Sequence, residues 1–446
     1  METSHTTTPE TTAKPKAVAR ADKHIWGILI ALCIISVIEL YSASSREVAN
    51  SSIGVMGPII RHLVMLIGGL SIVWVFARRH YSDFALFTVG FSIISAALMI
   101  YVMFFGDYIN GARRSLSILG IGVFPAEMVK ISAVLSVALI MTLNQDPKGV
   151  GITLKGMLLS CGVLLFFSAL LFTQGLTNTL LLFSITASMM IIGGVRFKHL
   201  LIGAAAIIII GATTLTVMYY TQYVPYQQKL EAIKSNSTEL SAMENGDTKI
   251  EVPRIATWIN RIIRHQEDSV PKWELPAVGD NRQEILSYMA QAHGGITGVG
   301  PGNSREAARL PLAFSDYIFA IVIEELGLIG GIGVLLLYLW LLGRASSIAS
   351  RCSVTYPALL VLGMAVMIAF QALFHIGIVT GVFPVSGQPL PLISKGGTSI
   401  VVTCIAFGIM LSVSRTATRK ANKKQEIREE IDALPEQLSG ENTMQL

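Results

Sequence analysis

The chain has few charged residues and few cysteines for its length. Of its 446 residues, 14% are charged and 52% are hydrophobic, whereas about 25% of residues are charged in soluble domains. This composition excludes a soluble protein and predicts an integral membrane protein. The four cysteines show no spacing typical of a disulfide framework or a metal site, so we interpret them as apolar packing residues.

Basic patches and internal repeats are also missing. The net charge is only +5, and Lys and Arg gather in the tails and short loops, so nucleic acid is not expected as a partner. No repeat of about 20 to 50 residues is visible, and neither is a pair of homologous halves like those of many transporters. The second absence argues weakly against transport.

Long apolar runs dominate what remains. A membrane-spanning helix needs about 17 to 25 mostly apolar residues, and we find ten such runs. They lie near residues 25–42, 59–77, 84–105, 126–143, 157–173, 177–194, 199–220, 315–342, 356–380 and 397–414. The first run has no cleavage site after it, which favours a retained helix over a signal peptide. We therefore predict an all-α membrane protein with ten transmembrane helices.

The basic residues predict the orientation of these helices. Lys and Arg in short loops mark the cytoplasmic side, and here they flank the helices on one side only. Both tails, 1–22 and 415–446, are then cytoplasmic, and the first should be disordered. The membrane domain is 23–414, with one large external loop, 221–314, between helices 7 and 8.

One stretch carries acids at a membrane boundary. It reads LPLAFSDYIFAIVIEELGLIGG and contains Asp316, Glu324 and Glu325. Carboxylates within a spanning segment usually face a bundle interior or a cavity. On a continuous helix Glu324 would lie within roughly 80° of Asp316, and Glu325 on the far side. Asp316 is then either a catalytic group or a cap for the helix N-terminus.

A second polar stretch precedes the fourth predicted helix. Arg113 and Arg114 lie at the outer boundary, and Pro125 suits a first helical turn. Glu127 and Lys130, three residues apart, share one face of that helix. They form either a buried structural pair or part of a polar site.

The large external loop contains two segments with a readable pattern. Residues 227–248 have few apolar side chains and suggest a mobile insert. Residues 254–264 place Ile and Trp at helical spacing between arginines, which predicts an amphipathic helix. That helix either lies in the membrane interface or packs on the ends of the bundle.

Two further outer segments are rich in Gly or Pro. Residues 293–304, HGGITGVGPGNS, predict a tight loop whose backbone approaches a ligand. Residues 381–399, GVFPVSGQPLPLISKGGTS, cannot form a regular helix, and irregular backbone at a membrane lines a cavity or is buried in protein. We expect a re-entrant loop that brings Lys395 near Asp316.

Together these motifs resemble one known family. NGARRSL with FPAEMVK, then GGITGVGPGNS, FSDYIFAIVIEELG and TGVFPVSGQPLPLISKGGTS, follow in this order on ten spans. The combination closely resembles the SEDS proteins of shape, elongation, division and sporulation. The resemblance implies a peptidoglycan glycosyltransferase in the bacterial inner membrane that polymerises lipid II and releases undecaprenyl pyrophosphate on the periplasmic side.

The resemblance also implies roles for individual residues. Asp316 matches the family's essential outer-loop aspartate, which implies the catalytic base, and Glu127 and Lys130 match the acid and base of the fourth-span motif. Binding of the substrate and its pyrophosphate is expected from six residues: Arg113, Glu127, Lys130, Ser394, Lys395 and Gly396. A divalent cation, Mg²⁺ or Mn²⁺, is expected on Asp316 or Glu127, from the resemblance and from the preference of such cations for oxygen ligands.

The sequence departs from the family's pattern at several positions. Ser115 stands for the usual Trp, Phe124 for Gln, and Lys395 for Tyr; QGLTN at 174–178 replaces Gln-Pro-Asp-Leu-Gly and lacks its acid. Roles assigned to these positions are therefore open. The sequences SDYIFAIVIEELG and ISKGGTS are more similar to the division member of the family than to the elongation member.

The resemblance implies partners as well. These are a class B penicillin-binding protein, a transpeptidase similar to FtsI, and other proteins of the division septum. The alternatives are a lipid II flippase, an elongation-type polymerase and a noncatalytic scaffold. The flippase is disfavoured because the polar motifs lie at the outer face rather than along a path through the membrane.

Overall fold

Apolar helices form almost all of the computed structural model, which describes residues 21–43, 56–109, 112–118, 121–146, 151–235, 252–266 and 281–432. The first seven long helices are α1 (Lys23–Ala43), α2 (Met56–Arg78), α3 (Asp83–Phe105), α4 (Pro125–Leu143), α5 (Leu154–Phe172), α6 (Leu176–Ile192) and α7 (Phe197–Met218). After them come α8 (Val224–Ser235), α9 (Arg254–Gln266), α10 (Arg282–Gly294), α11 (Ile318–Ala349), α12 (Thr355–Val379) and α13 (Gly397–Asp432).

Nine helices of the described part are long and apolar enough to cross a membrane. A helix also lies at the remaining predicted run, but α6 has only 17 residues and is shorter than a typical span. The membrane class of the fold is therefore confirmed, and the count of ten spans stays a prediction.

The all-α prediction is wrong in one place. Strands β1 (Asp107–Ile109), β2 (Ala112–Ile118) and β3 (Ile121–Val123) form an antiparallel sheet in the order β1-β2-β3. Strands β1 and β3 have only three residues each, and β2 has seven, so the sequence alone suggests only a boundary loop here. Pro125 begins α4 directly after the sheet, as predicted, since its fixed φ suits a first turn.

The predicted insert at 227–248 is partly helical. A π-helical turn at Tyr219–Tyr223 joins α7 to α8, so the helix continues as far as Ser235. Residues 236–251 lie outside the described residues. The tail at 1–22 also lies outside them, except for Ala21 and Asp22. At the other end, helix α13 continues beyond the last predicted span to Asp432, and residues 433–446 lie outside the described residues.

Burial divides the helices into a central and a peripheral set. In the most apolar 18 residues of each helix, 72% of the residues are buried in α12 and 89% in α13, whereas none are buried in α7. The described core therefore centres on α12 and α13, with α4 against both, and α7 lies at the periphery.

Helix α11 does not place its two acids, Glu324 and Glu325, relative to Asp316 as the sequence predicts. It begins at Ile318, after Asp316, so the helical-wheel relation between Asp316 and Glu324 does not apply. Glu324 accepts hydrogen bonds from Ser304 Oγ and from the backbone N–H of Arg305, at 2.9 Å for the latter. Glu325 accepts from Ser42 Oγ of α1. Neither contact involves Asp316.

The glycine-rich segment contacts α11 instead of a ligand. Helix α11 is interrupted at Gly327, where φ is 72° and ψ is −177°. Residues 295–300 pair with this interruption through backbone hydrogen bonds of 2.9 to 3.3 Å. A Cβ at Gly298 would clash with the Glu325 carbonyl oxygen, so only glycine permits the approach. The ligand-approach prediction is therefore not supported by these contacts.

Candidate active site

Asp316 lies in a turn immediately before α11. Its N–H donates to the Leu312 carbonyl at 3.0 Å, and Leu312 has a positive φ of 57°. Ser315 Oγ donates to Asp316 Oδ1 at 3.1 Å. The N-cap of α11 is Tyr317 and has no side-chain cap, so the capping interpretation of Asp316 is not supported.

Gly387 of the segment between α12 and α13 packs directly on the carboxylate. A Cβ at this position would lie 2.9 Å from Asp316 Oδ2. A larger residue would displace the carboxylate or the loop, because such a contact is shorter than van der Waals packing allows. The two segments are joined again where Ser394 Oγ donates to the Ser315 carbonyl at 2.7 Å and Lys395 N donates to the Phe314 carbonyl at 2.9 Å.

Buried side chains hold the rest of this loop, residues 384–396. Tyr338 Oη donates to the Pro391 carbonyl at 2.6 Å, and His375 Nδ1 lies 2.6 Å from the Gln388 carbonyl. Gln371 Nε2 donates to the Pro389 carbonyl at 3.3 Å. Irregular backbone inside a bundle needs such partners, since its carbonyl groups have no helical donors.

Two arginines supply the positive charge around Asp316. Burial raises the pKa of Asp316, while Ser315 and the charges of Arg114 and Arg261 oppose that rise. Burial, and then Arg261, lower the pKa of Arg114, whereas Asp316 raises it. Burial therefore increases the basicity of the carboxylate, and the two cations limit that increase.

A pocket of about 180 Å³ is lined by Gly387, the residue that packs on Asp316, although Asp316 itself is not part of the lining. Its lining includes Arg114, Arg254 and Arg261, together with the polar side chains Gln174, Asn178 and Gln388, and Gly387. Leu176 and Leu180 belong both to this pocket and to an apolar groove of about 830 Å³ between α5, α6 and α7. A charged pocket that adjoins an apolar groove fits a ligand with an anionic head and a long apolar tail.

Helix α9 provides two of these arginines. It buries Ile255 and Trp258 and leaves Ile262 and Ile263 exposed. Arg261 Nη1 donates to the Val385 carbonyl at 3.0 Å, which attaches the helix to the loop at 384–396. Of the two placements that its sequence allows, the structure shows packing on the bundle.

Glu127 and Lys130 form a buried ion pair away from this pocket. Lys130 Nζ lies 2.7 Å from Glu127 Oε1, and the side chains are 1% and 9% exposed. Gln371 Nε2 donates to the other oxygen, Oε2, at 3.2 Å. Both carboxylate oxygens therefore have a protein partner, as in a structural pair.

The other predicted site residues are placed as follows. Arg113 is exposed; it pairs with Tyr108 in the sheet, and its carbonyl accepts from Gln174 Nε2 at 2.6 Å. Lys395 Nζ lies 5.0 Å from the centre of the Phe314 ring. Gly396 accepts from Ile400 N at the start of α13. The structure thus brings Ser394 and Lys395 to the Asp316 turn, and substrate binding by all these residues stays a prediction.

The divalent cation stays a prediction, and the described residues offer few acidic ligands for it. In the part of the chain that the structure describes, no group of three His, Cys, Asp or Glu side chains could hold a metal ion. Glu127 uses both oxygens on Lys130 and Gln371, and Asp316 contacts Ser315 and Gly387. The two carboxylates share no described partner.

Sequence reasoning missed Arg114, Arg254 and Arg261 as site residues. Neighbouring residues of a strand point to opposite faces, so a correct strand prediction would have separated Arg113 from Arg114. The amphipathic pattern shows the arginines of α9, but it does not show which part of the protein they contact.

Comparisons with known proteins extend this picture to the whole chain. The family described as "Cell cycle protein", FTSW_RODA_SPOVE, matches residues 22–419. A protein of Coxiella burnetii named "Probable peptidoglycan glycosyltransferase FtsW" is 28% identical over 400 residues, which cover 86% of this chain and 95% of that protein. The "Peptidoglycan glycosyltransferase MrdB" of Escherichia coli K12 is 29% identical over 397 residues, covering 86% and 91%.

A solved structure shows the same fold. It is described as "Structural coordination of polymerization and crosslinking by a peptidoglycan synthase complex". The TM-score is 0.62 at 21% identity, over 89% of this chain and 98% of that one.

Proposed function

Because the chain belongs to the family of FtsW, RodA and SpoVE, we propose that it is a peptidoglycan glycosyltransferase that polymerises lipid II into glycan strands. The observation that carries this proposal is the position of Asp316. The carboxylate lies beside an arginine-lined pocket, and that pocket adjoins an apolar groove among the membrane helices.

Asp316 acts as the general base in this reaction. The 4-hydroxyl of the acceptor sugar attacks the anomeric carbon of the donor, and its proton passes to the Asp316 carboxylate. The bond from that carbon to the phosphate oxygen breaks, and undecaprenyl pyrophosphate leaves with the electron pair. A sugar hydroxyl has a pKa far above 7, so a positioned base of raised pKa assists the attack.

The pocket and the groove divide the donor between them. The arginines face the pyrophosphate, whose negative charge grows as the bond breaks and is best stabilised by fixed cations in a desolvated site. The polyprenyl chain lies in the groove between α5, α6 and α7, whose described lining is mostly apolar. Divalent-cation binding by Asp316 or Glu127 is not needed for these contacts.

The relatives support a proposal for the cellular setting. We place the protein in the inner membrane of a bacterium, with both termini in the cytoplasm and Asp316 on the periplasmic side. Relatives named FtsW favour the division septum, and the MrdB relative keeps the elongation role as the alternative. The structural neighbour is a peptidoglycan synthase complex that coordinates polymerisation and crosslinking, which supports a class B penicillin-binding protein, similar to FtsI, as partner beside other division proteins.

The direct test is polymerisation of purified lipid II by the purified protein, read as glycan strands on a gel. Asp316→Asn should lower the rate by about 10²- to 10⁴-fold, the contribution of a general base. Asp107→Asn is the matched control, because Asp107 is exposed in the sheet at the same end of the bundle. Strand synthesis at the wild-type rate by correctly folded Asp316→Asn protein would refute the assignment.

One observation supports lipid II transport as a second candidate. Helix α11 is interrupted at Gly327 next to the buried acids Glu324 and Glu325, and interrupted helices form substrate sites in many transporters. Translocation of lipid II across proteoliposomes by Asp316→Asn protein, without polymerisation, would favour this function.

The addition of the cognate transpeptidase to the polymerisation assay tests the scaffold alternative, since a scaffold stays inactive with it.

A further inference from the structure

We propose that Glu39 and Glu325 hold a sodium ion between α1 and α11, at a site that does not include Asp316. The hydroxyl of Ser42 completes the set of side chains at this site. Ion binding here goes beyond the proposed polymerisation of lipid II and gives a role to buried acids that the proposed mechanism does not use.

Helices α1 and α11 pack against each other and bring the two acids together. Glu39 and Ser42 are three residues apart and both buried, so they share one face of α1. Ser42 Oγ donates to Glu325 Oε1, which places that face on the acid of α11. The charge of Glu325 also acts on Glu39. The two carboxylates therefore lie near each other inside the bundle.

Three of the four carboxylate oxygens of this pair lack a protein partner. Glu39 is fully buried, and Glu325 is 1% exposed. Among the described residues, neither oxygen of Glu39 has a hydrogen-bond partner, and neither does Oε2 of Glu325. Buried charges in proteins are paired or coordinate a metal ion, because an unpaired buried charge is strongly unfavourable. The pair therefore needs a positive charge.

No basic side chain of the described residues supplies that charge. The charges that act on the pair are those of acids, Glu325 on Glu39 and Glu324 on Glu325. The other groups at Glu325 are the Ser42 hydroxyl and two backbone N–H groups, which carry no net charge. A bound ligand is left as the source of the positive charge.

The neighbouring acids differ from this pair. Glu324 accepts a hydrogen bond from Ser304 Oγ, and His293 Nδ1 lies 3.7 Å from its Oε1. Glu306 Oε1 lies 3.8 Å from the same nitrogen and 3.6 Å from Arg309 Nη1. Both acids thus face basic side chains, so the ion site is limited to the pair between α1 and α11.

The surroundings of the pair favour sodium over larger or divalent cations. Ca²⁺ and Mg²⁺ need about six or more oxygen ligands, water included, and the three unpaired oxygens are closed to water. The described residues also contain no group of three His, Cys, Asp or Glu side chains suited to a metal ion. A sodium ion is smaller than K⁺ or a water molecule and carries one charge, which suits two carboxylates and a hydroxyl.

The break in α11 adds a further attraction for a cation. The interruption at Gly327 ends the outer part of the helix, 318–326, directly after Glu325. The carbonyl end of a helix carries partial negative charge. In many transporters such ends of interrupted helices bind Na⁺. The helix end and the acid therefore attract a cation to the same place.

An ion at this site would join α1 to the segment that leads to the Asp316 turn. Gly300 N donates to the Glu325 carbonyl at 2.9 Å. The Cβ position of Gly302 lies 3.7 Å from Tyr41 Cε1 of α1. The ion, the hydroxyl of α1 and this segment would then hold the outer ends of α1 and α11 together, so the folded state should depend on sodium.

The first test is thermal unfolding of the purified protein in detergent, in NaCl and in choline chloride at equal ionic strength and pH. A ligand that binds only the folded state raises Tm, and we expect Tm in NaCl to be about 3–6 °C higher. KCl should raise it less. Glu39→Gln and Glu325→Gln should each remove the difference. Glu231→Gln is the control and should keep it, because Glu231 is exposed in α8.

Equilibrium dialysis with radioactive sodium measures the ion directly. The wild type and Glu231→Gln should each retain about one sodium ion per chain, as one site allows. Glu39→Gln and Glu325→Gln should each bind sodium about tenfold more weakly or worse, because each removes one negative charge from the site. Should one variant fail to fold, the other still decides whether the pair is the ligand.

Three results would overturn the inference. One is an equal Tm in NaCl and choline chloride with no sodium retained; a Tm that rises only as pH falls would then identify a shared proton as the occupant. Another is a rise in Tm caused by Mg²⁺ or Ca²⁺ but not by Na⁺. The third is full sodium binding by both Glu39→Gln and Glu325→Gln.

The polymerisation assay separates this inference from the proposed function. Sodium binding by a protein that makes no glycan strands would support the ion site while the proposed function fails. Strand synthesis by a protein that retains no sodium would leave the proposed function intact and overturn the ion site.

Discussion

Two of the polar clusters in this apolar bundle differ in whether they lie next to a pocket. Glu127, Lys130 and Gln371 form a closed set, in which both carboxylate oxygens have protein partners. Around Asp316, two arginines, Arg114 and Arg261, act on the carboxylate, and both line a pocket next to it. A closed cluster stabilises the fold, whereas a cluster next to a pocket is suited to bind a charged ligand.

Gln371 connects the two clusters. Its amide nitrogen donates both to Glu127 and to the Pro389 carbonyl, two residues from the Gly387 that packs on Asp316. The ion pair therefore supports the Asp316 carboxylate through one side chain and one loop. Four sets of variants test this division of roles.

The largest effect is expected for Lys130→Met. It leaves the buried Glu127 without its cation, which should lower the free energy of unfolding by about 3–5 kcal/mol. Denaturant titration in mixed micelles measures this loss. The double variant Glu127→Leu/Lys130→Met should recover most of the stability and keep polymerising lipid II. A stable but inactive double variant would show that the pair touches the substrate, which would contradict a purely structural role.

A smaller effect, on rate rather than on stability, is expected for Gly387→Ala. The added methyl group would lie 2.9 Å from Asp316 Oδ2. Displacement of a catalytic group by about 1 Å can lower the rate about 100-fold, so kcat should fall strongly. Gly343→Ala is the control, since no atom lies within 4 Å of its Cβ position. Unchanged kcat in Gly387→Ala would refute this placement of the base.

Gln371→Met should change both stability and rate, each by less than the two variants above. It removes the donor for Glu127 Oε2 and for the Pro389 carbonyl, at a cost of about 1–3 kcal/mol. A looser loop should lower kcat more than it raises KM for lipid II. It should also admit water to Asp316, and so move the acidic limb of the rate profile to lower pH. A second variant, destabilised at a site away from this loop, is the comparison. If it changes kcat and the pH profile as much as Gln371→Met does, Gln371 has no positioning role.

The smallest effect is expected in the pH dependence of Arg261→Gln. Asp316 must be ionised to act as a base, so the rate falls as pH drops through its pKa, which burial raises above the usual aspartate value. The Arg261 charge opposes that rise. Its removal should shift the acidic limb to higher pH, whereas Arg264→Gln should leave the limb in place. A shift to lower pH would contradict the assignment.

The sequence predicts the helices well because a long apolar run has few other solutions in a membrane. It fails where short polar segments are placed by contacts distant in the chain. Strands β1 and β3 are too short to show alternation, and two adjacent arginines interrupt it in β2, so the sequence does not distinguish Arg114 from Arg113. Asp316 is identified by its charge and by the family resemblance. Its neighbours Gly387 and Arg261 are 71 and 55 positions away, and only the fold brings them together.

The interruption at Gly327 has a mechanical consequence. It divides α11 into two segments, and residues 295–300 form backbone hydrogen bonds with both of them. A long spanning helix tilts when the thickness of the bilayer changes. Because one loop holds both sides of the break, the two segments should tilt together, and a change of lipid composition should reach the turn that contains Asp316.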